Sequence, residues 1–182
     1  MAYRYDKPDN LIALLEGSVE KFTQNPLFGT KNSAGNYEWV TYGEVGRRVD
    51  HLRGGLARIG VKKGDAVGII ANNRTEWAVC AFATFGLGAR YIPMYENELP
   101  RTWRYIINDG RVRVLFVASP EIRDQVKGFS DETTGLEKIM LIDGPGEATL
   151  PALEQIGRAH PIPAIHPSPH DIAVLIYTSG TT

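Results

Sequence analysis

Cysteine is nearly absent from this sequence: Cys80 stands alone among 182 residues. A single thiol excludes an internal disulfide, so the fold must rest on burial, as expected in a reducing compartment. Long apolar runs are missing as well. Nothing approaches the roughly 18 residues of a membrane span, and Met1–Asn10 is polar and charged, unlike a secretory signal. Charge of one sign is not in excess: 20 Lys and Arg stand against 21 Asp and Glu, a formal net charge of -1. No basic field therefore invites nucleic acid, and no polyanionic tail is visible. The aromatic residues are scattered rather than interleaved with Lys and Arg, and no RNA- or DNA-binding motif appears. These absences exclude an internal disulfide scaffold and argue against a membrane span or a nucleic-acid-binding surface within these residues. The expectation is a soluble cytoplasmic protein, with peripheral membrane contact left open.

A hydrophobic content of 43% is enough for one domain with a real core. Leu11 to Phe22 reads as an amphipathic helix, with Leu11, Leu14, Leu15, Val19 and Phe22 at helical spacing, and Pro26 ends any continuation. Two short strands, Leu27–Lys31 and Tyr37–Val40, flank turn chemistry at residues 32–36 and predict a hairpin. Thr41-Tyr42-Gly43-Glu44 is a capping box. It opens a helix that carries Val45, Val49, Leu52, Leu56 and Ile59 inward, and Gly60 is placed for a left-handed terminus. A rhythm then sets in. Strands are expected at 66–71, 90–94, 112–118, 138–143 and 172–177. Helices are expected at 75–87, 100–109, after Ser119-Pro120-Glu121, and at 150–156. Strands that are almost wholly apolar, such as Val67-Gly68-Ile69-Ile70, suit a sheet covered on both faces. The fold class is α/β: a mostly parallel, doubly wound sheet flanked by helices, preceded by a helix and a small β-hairpin. The Pro-rich stretch His160–Pro169 reads as an extended, solvated connection.

One segment carries chemistry. Tyr177-Thr178-Ser179-Gly180-Thr181-Thr182 follows an apolar strand, and in open α/β sheets ligands sit beyond the carboxyl ends of strands. A turn of small residues exposes successive amides and hydroxyls in a concave anion site, and Gly180 lets backbone approach a ligand closely. An ordinary strand-to-helix turn has the same composition, so residue types alone leave both readings open. The spacing is not that of a Walker-type loop.

The same six residues resemble the first half of the phosphate loop of the adenylate-forming superfamily, which includes acyl-CoA synthetases, firefly-type luciferases and peptide-synthetase adenylation domains. The resemblance covers nearly the whole chain. Trp39-Val40-Thr41-Tyr42-Gly43-Glu44 is similar to the start of the family's first long helix, and Leu56–Asp65 to the turn that ends it. Gly68–Trp77 and Gly86–Tyr95 resemble the following strands and helix starts, with a likeness to long-chain acyl-CoA synthetases. Tyr105–Asp109 resembles the next helix. The resemblance implies that residues 1–182 are the first portion of a larger N-terminal domain, cut within its phosphate loop. It implies a fatty acid CoA ligase that uses ATP, Mg²⁺ and coenzyme A to convert a carboxylate to acyl-AMP and then acyl-CoA. Thr178, Ser179, Gly180, Thr181 and Thr182 would hold phosphates. The loop lysine, the acidic metal ligand and the lid with its catalytic lysine are not among these residues. The piece alone is therefore expected to be inactive and to self-associate through its uncovered sheet. A luciferase-like or peptide-synthetase enzyme and a non-catalytic α/β binding module are the rival readings.

Other tempting residues read as structural. Cys80, on an apolar helix without a neighbouring histidine, is expected to be an inert buried thiol. His160, His166 and His170 lack metal-ligand spacing. Trp77 and Trp103 occupy core or core-edge positions. Arg101, Arg104, Arg111 and Arg113 read as a solvated face, and Glu96 and Glu98 imply no acid–base pair.

Overall fold

The computed structural model describes residues 7–129 and 135–178. Helix α1 (Leu11–Phe22) begins where the Asn10 side chain accepts from the amides of Ile12 and Ala13. Strands β1 (Pro26–Lys31) and β2 (Tyr37–Thr41) form the expected antiparallel hairpin. Helix α2 (Tyr42–Arg58) starts on the expected capping box: Thr41 Oγ1 accepts from the Glu44 amide, and the Glu44 carboxylate accepts from the Thr41 amide. Gly60 takes a left-handed φ of 96° just past its end, a conformation that needs no Cβ to be accommodated.

Strands β3 (Ala66–Ile70), β4 (Arg90–Met94), β5 (Val112–Val117) and β6 (Lys138–Leu141) form one parallel sheet in the order β4-β3-β5-β6. They alternate with α3 (Thr75–Phe85), α4 (Pro100–Asp109), α5 (Pro120–Lys127) and α6 (Leu150–Ala159). The core is split by the sheet, as a doubly wound fold requires. One face packs Val67, Ile69, Val114 and Phe116 against α1, α2, α3 and α6. The other packs Ile70, Ile92, Leu115 and Val117 against α4 and α5.

Four expectations are corrected. The segment 172–177 is not a regular strand. Ala173 O and the Leu175 amide pair with Tyr91, making one parallel bridge at Val174, while Ile172 and Ile176 are 58% and 67% exposed. It lies at the β4 edge, where among the described residues only one side finds a strand partner, so Ala173, Val174, Leu175 and Tyr177 are half-buried against the two cores rather than enclosed. The Pro-rich connection is extended but not simply solvated. The Arg53 guanidinium donates to Ile162 O at 2.8 and 3.1 Å, the Ile165 amide donates to Gly86 O, and Ile162 and Ala164 pack on the core. In α1 the inward stripe is Ile12, Leu15 and Val19, while Leu11 and Leu14 are 42% and 45% exposed. The helix is apolar on two faces, and only its neighbours choose between them. Finally, α6 runs to Ala159 rather than stopping near 156. Gly157 sits inside it because a Cβ there would press into the carbonyl of His51 on α2.

Candidate functional site

The strand order dictates where a crevice opens. The loop after β3 leads to α3 on one face, and the loop after β4 leads to α4 on the other. Adjacent strands whose connections part in this way leave a cleft at their carboxyl ends. That cleft has a volume of about 390 Å³ and is walled by Asn73 and Trp77 on one side and by Met94, Tyr95 and Tyr105 on the other. Ile176, Tyr177 and Thr178 complete it.

Thr178 is the one predicted phosphate-loop residue that is described, and it reaches the cleft rim. Ser179, Gly180, Thr181 and Thr182 lie outside the described residues. Tyr177, just before them, donates its hydroxyl to Asp109 Oδ2 at 2.6 Å and meets Tyr105 edge to face. Partial burial and the Asp109 carboxylate push its hydroxyl up to about 12, so it stays protonated and holds the segment against α4.

The loop beside the cleft is held by charges that the sequence did not announce. Arg74, the residue before α3, donates both terminal nitrogens to Asp143, each at 2.8 Å, and its Nε to Glu76 at 2.7 Å. Glu76 also accepts from Arg48 on α2 at 2.9 Å, and Arg48 reaches Glu154 on α6 at 3.0 Å. Burial works against the Glu76 carboxylate, but hydrogen bonds from Arg74, its own backbone and Arg48 hold it below the usual carboxylate range. At Glu154 burial outweighs the Arg48 guanidinium, and its carboxyl is raised. On the opposite side, the Asn72 amide donates to the Glu96 carboxylate at 2.6 Å. Glu96 therefore has a structural role, and Glu98 lines the cleft. The Asn-Asn-Arg-Thr-Glu string at 72–76 was visible in the sequence. Its partners at 96 and 143 are too distant in the chain for periodicity to reveal.

The residues read as structural mostly are. Cys80 is fully buried, which pushes its thiol well up. Trp103 is buried and donates its indole N–H to Tyr95 O, and Trp77 is half-buried. Arg113 is less free than a solvated face implies, because it binds Asp65, Glu137 and the Gly60 carbonyl. Among the described residues no group of three His, Cys, Asp or Glu side chains is gathered as metal ligands would be. No described helix is long and apolar enough to cross a membrane.

A family profile described as AMP-binding enzyme matches residues 15–182. The chain belongs to the AMP-binding enzyme family. Within it, this AMP-binding chain is similar to peroxisomal long chain acyl-CoA synthetase 7 of Arabidopsis thaliana. The two are 29% identical over 182 residues, which cover 91% of this chain and 26% of the plant protein. It is 26% identical to human long-chain-fatty-acid–CoA ligase 1, over 100% of this chain and 28% of that protein. The chain thus spans about a quarter of the length of the relatives it matches. Among solved structures, a long-chain-fatty-acid-CoA ligase from Archaeoglobus fulgidus superposes with a TM-score of 0.80 at 23% identity, over 97% of this chain and 35% of that one. An anthranilate CoA ligase gives 0.79 at 24% identity, over 94% and 31%. At such identities the likeness concerns the fold, and it supports the parallel, helix-flanked sheet of this AMP-binding chain.

Proposed function

We propose that the gene product carrying this chain is an AMP-forming fatty acyl-CoA synthetase of the long-chain type, and that residues 1–182 supply the first portion of its larger N-terminal domain. The observation that carries this reading is positional. An AMP-binding profile runs through residue 182, and the chain delivers Thr178 to the mouth of the cleft at the sheet's carboxyl end. The relatives named as long-chain acyl-CoA synthetases support the substrate class.

The chemistry exchanges one leaving group for a better one. A fatty acid carboxylate attacks the α-phosphorus of ATP, its oxygen bonds to phosphorus, and pyrophosphate departs. The thiol of coenzyme A then attacks the acyl carbon and AMP leaves. Negative charge gathers on pyrophosphate in the first step, so donors aimed at the β- and γ-phosphates lower that barrier. The hydroxyls of Thr178, Ser179, Thr181 and Thr182, with the amides around Gly180, are the groups this chain offers. Mg²⁺ and coenzyme A belong to the same proposal. Residues 1–182 alone are expected to be inactive, since they span about a quarter of the relatives' length. With Ile172 and Ile176 exposed beside a one-sided bridge, they are also expected to self-associate. A cytoplasmic location remains part of this proposal.

The test is ATP–pyrophosphate exchange with carboxylates from acetate to long-chain and aromatic acids, run on the complete gene product and on residues 1–182. Exchange by the complete product that peaks with a long chain is the expected result. A peak with acetate or an aromatic acid would overturn the long-chain assignment, and no exchange with any acid would overturn the reaction.

A further inference from the structure

Three loops leave the carboxyl end of the sheet beside the cleft, and side chains lace them together. The β3–α3 loop supplies Asn73 and, at its start, Ala71 to the cleft wall. It is held on one side by the Asn72 amide on Glu96, in the β4–α4 loop, and on the other by the Arg74 fork on Asp143, after β6. Arg74 has an extended backbone and leaves the start of α3 without a side-chain cap. Its guanidinium is committed to Asp143 and Glu76 instead. Glu76 in turn takes Arg48, and Arg48 takes Glu154. One line of alternating charge thus runs from the loop after β6, behind the β3–α3 loop and the start of α3, to α2 and α6.

We infer that Arg74 is a positioning residue for the adenylation site: it fixes the β3–α3 loop so that Asn73 and Trp77 form a preorganised cleft wall facing Thr178. Lacing of this kind raises the share of molecules whose site is competent to bind. A ligand's apparent affinity falls in proportion when that share falls. Arg74 is not itself among the residues that line the cleft, and its carbonyl accepts from the Trp77 amide, so it acts through the loop and the start of α3. A bidentate guanidinium–carboxylate fork fixes orientation as well as distance, and lysine can restore the charge but not the geometry. The inference rests on the adenylating function proposed above for its kinetic consequence, but not for its structural one.

The experiment therefore has two arms. In the first, hydrogen exchange by mass spectrometry follows the amides of residues 71–77 in the 182-residue chain. Wild type is compared with Arg74→Met, Arg74→Lys and Asp143→Asn. Asp143 is 62% exposed at its side chain, so the Asp143→Asn chain is expected to fold even where Arg74→Met does not. Exchange in 71–77 is expected to speed up about fivefold or more in Asp143→Asn and Arg74→Met and less in Arg74→Lys, while the amides of β5 stay protected. In the second arm, the same substitutions in the complete gene product are expected to raise KM for ATP about three- to tenfold, with kcat within about twofold. Unchanged exchange at 71–77 overturns the lacing. Faster exchange with unchanged KM overturns the positioning role. An inactive wild type overturns the adenylating function, and the first arm then still decides the lacing.

Discussion

Gly157 shows how a single residue can set a helix's distance from its neighbour. It lies within α6, where glycine costs about 1 kcal/mol relative to alanine, yet a Cβ there would collide with the His51 carbonyl, and one at Gly55 with the Leu153 carbonyl. A Cβ at Gly54 would come within 2.9 Å of the Gly157 Cα. Backbone meets backbone at this crossing, and no flexible side chain can yield. Gly157→Ala is therefore expected to destabilise by about 2–3 kcal/mol despite its better helix propensity, measured by denaturant unfolding. Thr41→Ala removes the hydroxyl that caps α2 and should cost about 1 kcal/mol in the same measurement. Thr178 carries a different kind of expectation. In the complete gene product, Thr178→Val keeps the shape and removes a donor at the cleft mouth. ATP–pyrophosphate exchange should fall about tenfold or more with the melting temperature nearly unchanged.

At the scale of elements, the charge line across α2, α3 and α6 gives these helices a pH dependence of two signs. Glu76 is held below its ordinary value of 4.5, so the folded chain resists its protonation. The stability it adds is present above about 4.5 and is lost as pH falls through its lowered value. Glu154 is raised above 4.5. There the folded chain retains the proton longer, and stability declines as pH rises from 4.5 through the raised value. Thermal unfolding between pH 3 and 8 should show the acid-side loss shrink in Glu76→Gln, which also costs on the order of 1–2 kcal/mol at pH 7 because two guanidinium groups lose a partner. In Glu154→Gln the decline above 4.5 should vanish, with little cost at neutral pH. A Glu76→Gln chain that kept the full acid-side loss would show that other carboxylates govern it. The capped start of α2 was legible at this scale, because Thr41 and Glu44 are three residues apart. The charge line was not, because its members are joined only when the sheet brings residues 74 and 143 together.

For the whole molecule, the sheet has one long side incompletely used. The 172–178 segment bonds to β4 through Ala173 and Leu175, while Ile172 and the cleft residue Ile176 are exposed, as are Tyr95 and Tyr105, which share the cleft with Ile176. Open edges and apolar patches of this kind favour association. Residues 1–182 should show a mass above the monomer by light scattering at high concentration. Ile172→Lys with Ile176→Lys should return it toward monomer, and a wild-type chain that stays monomeric throughout would count against the proposal. The sequence by itself determined the alternation of strands and helices, the hairpin, the capped helix α2 and the adenylate-forming resemblance. Each of these is written in residues a few positions apart, or in the order of short motifs along the chain. Tertiary structure alone decided which apolar face of α1 is buried, that the 172–177 segment is a half-used edge, and that Arg53 pins the Pro-rich connection. It alone set Arg74 on Asp143 and the Asn72 amide on Glu96, on either side of the β3–α3 loop. Those outcomes depend on contacts between residues tens of positions apart, and a parallel sheet creates such contacts only once every crossover has been made.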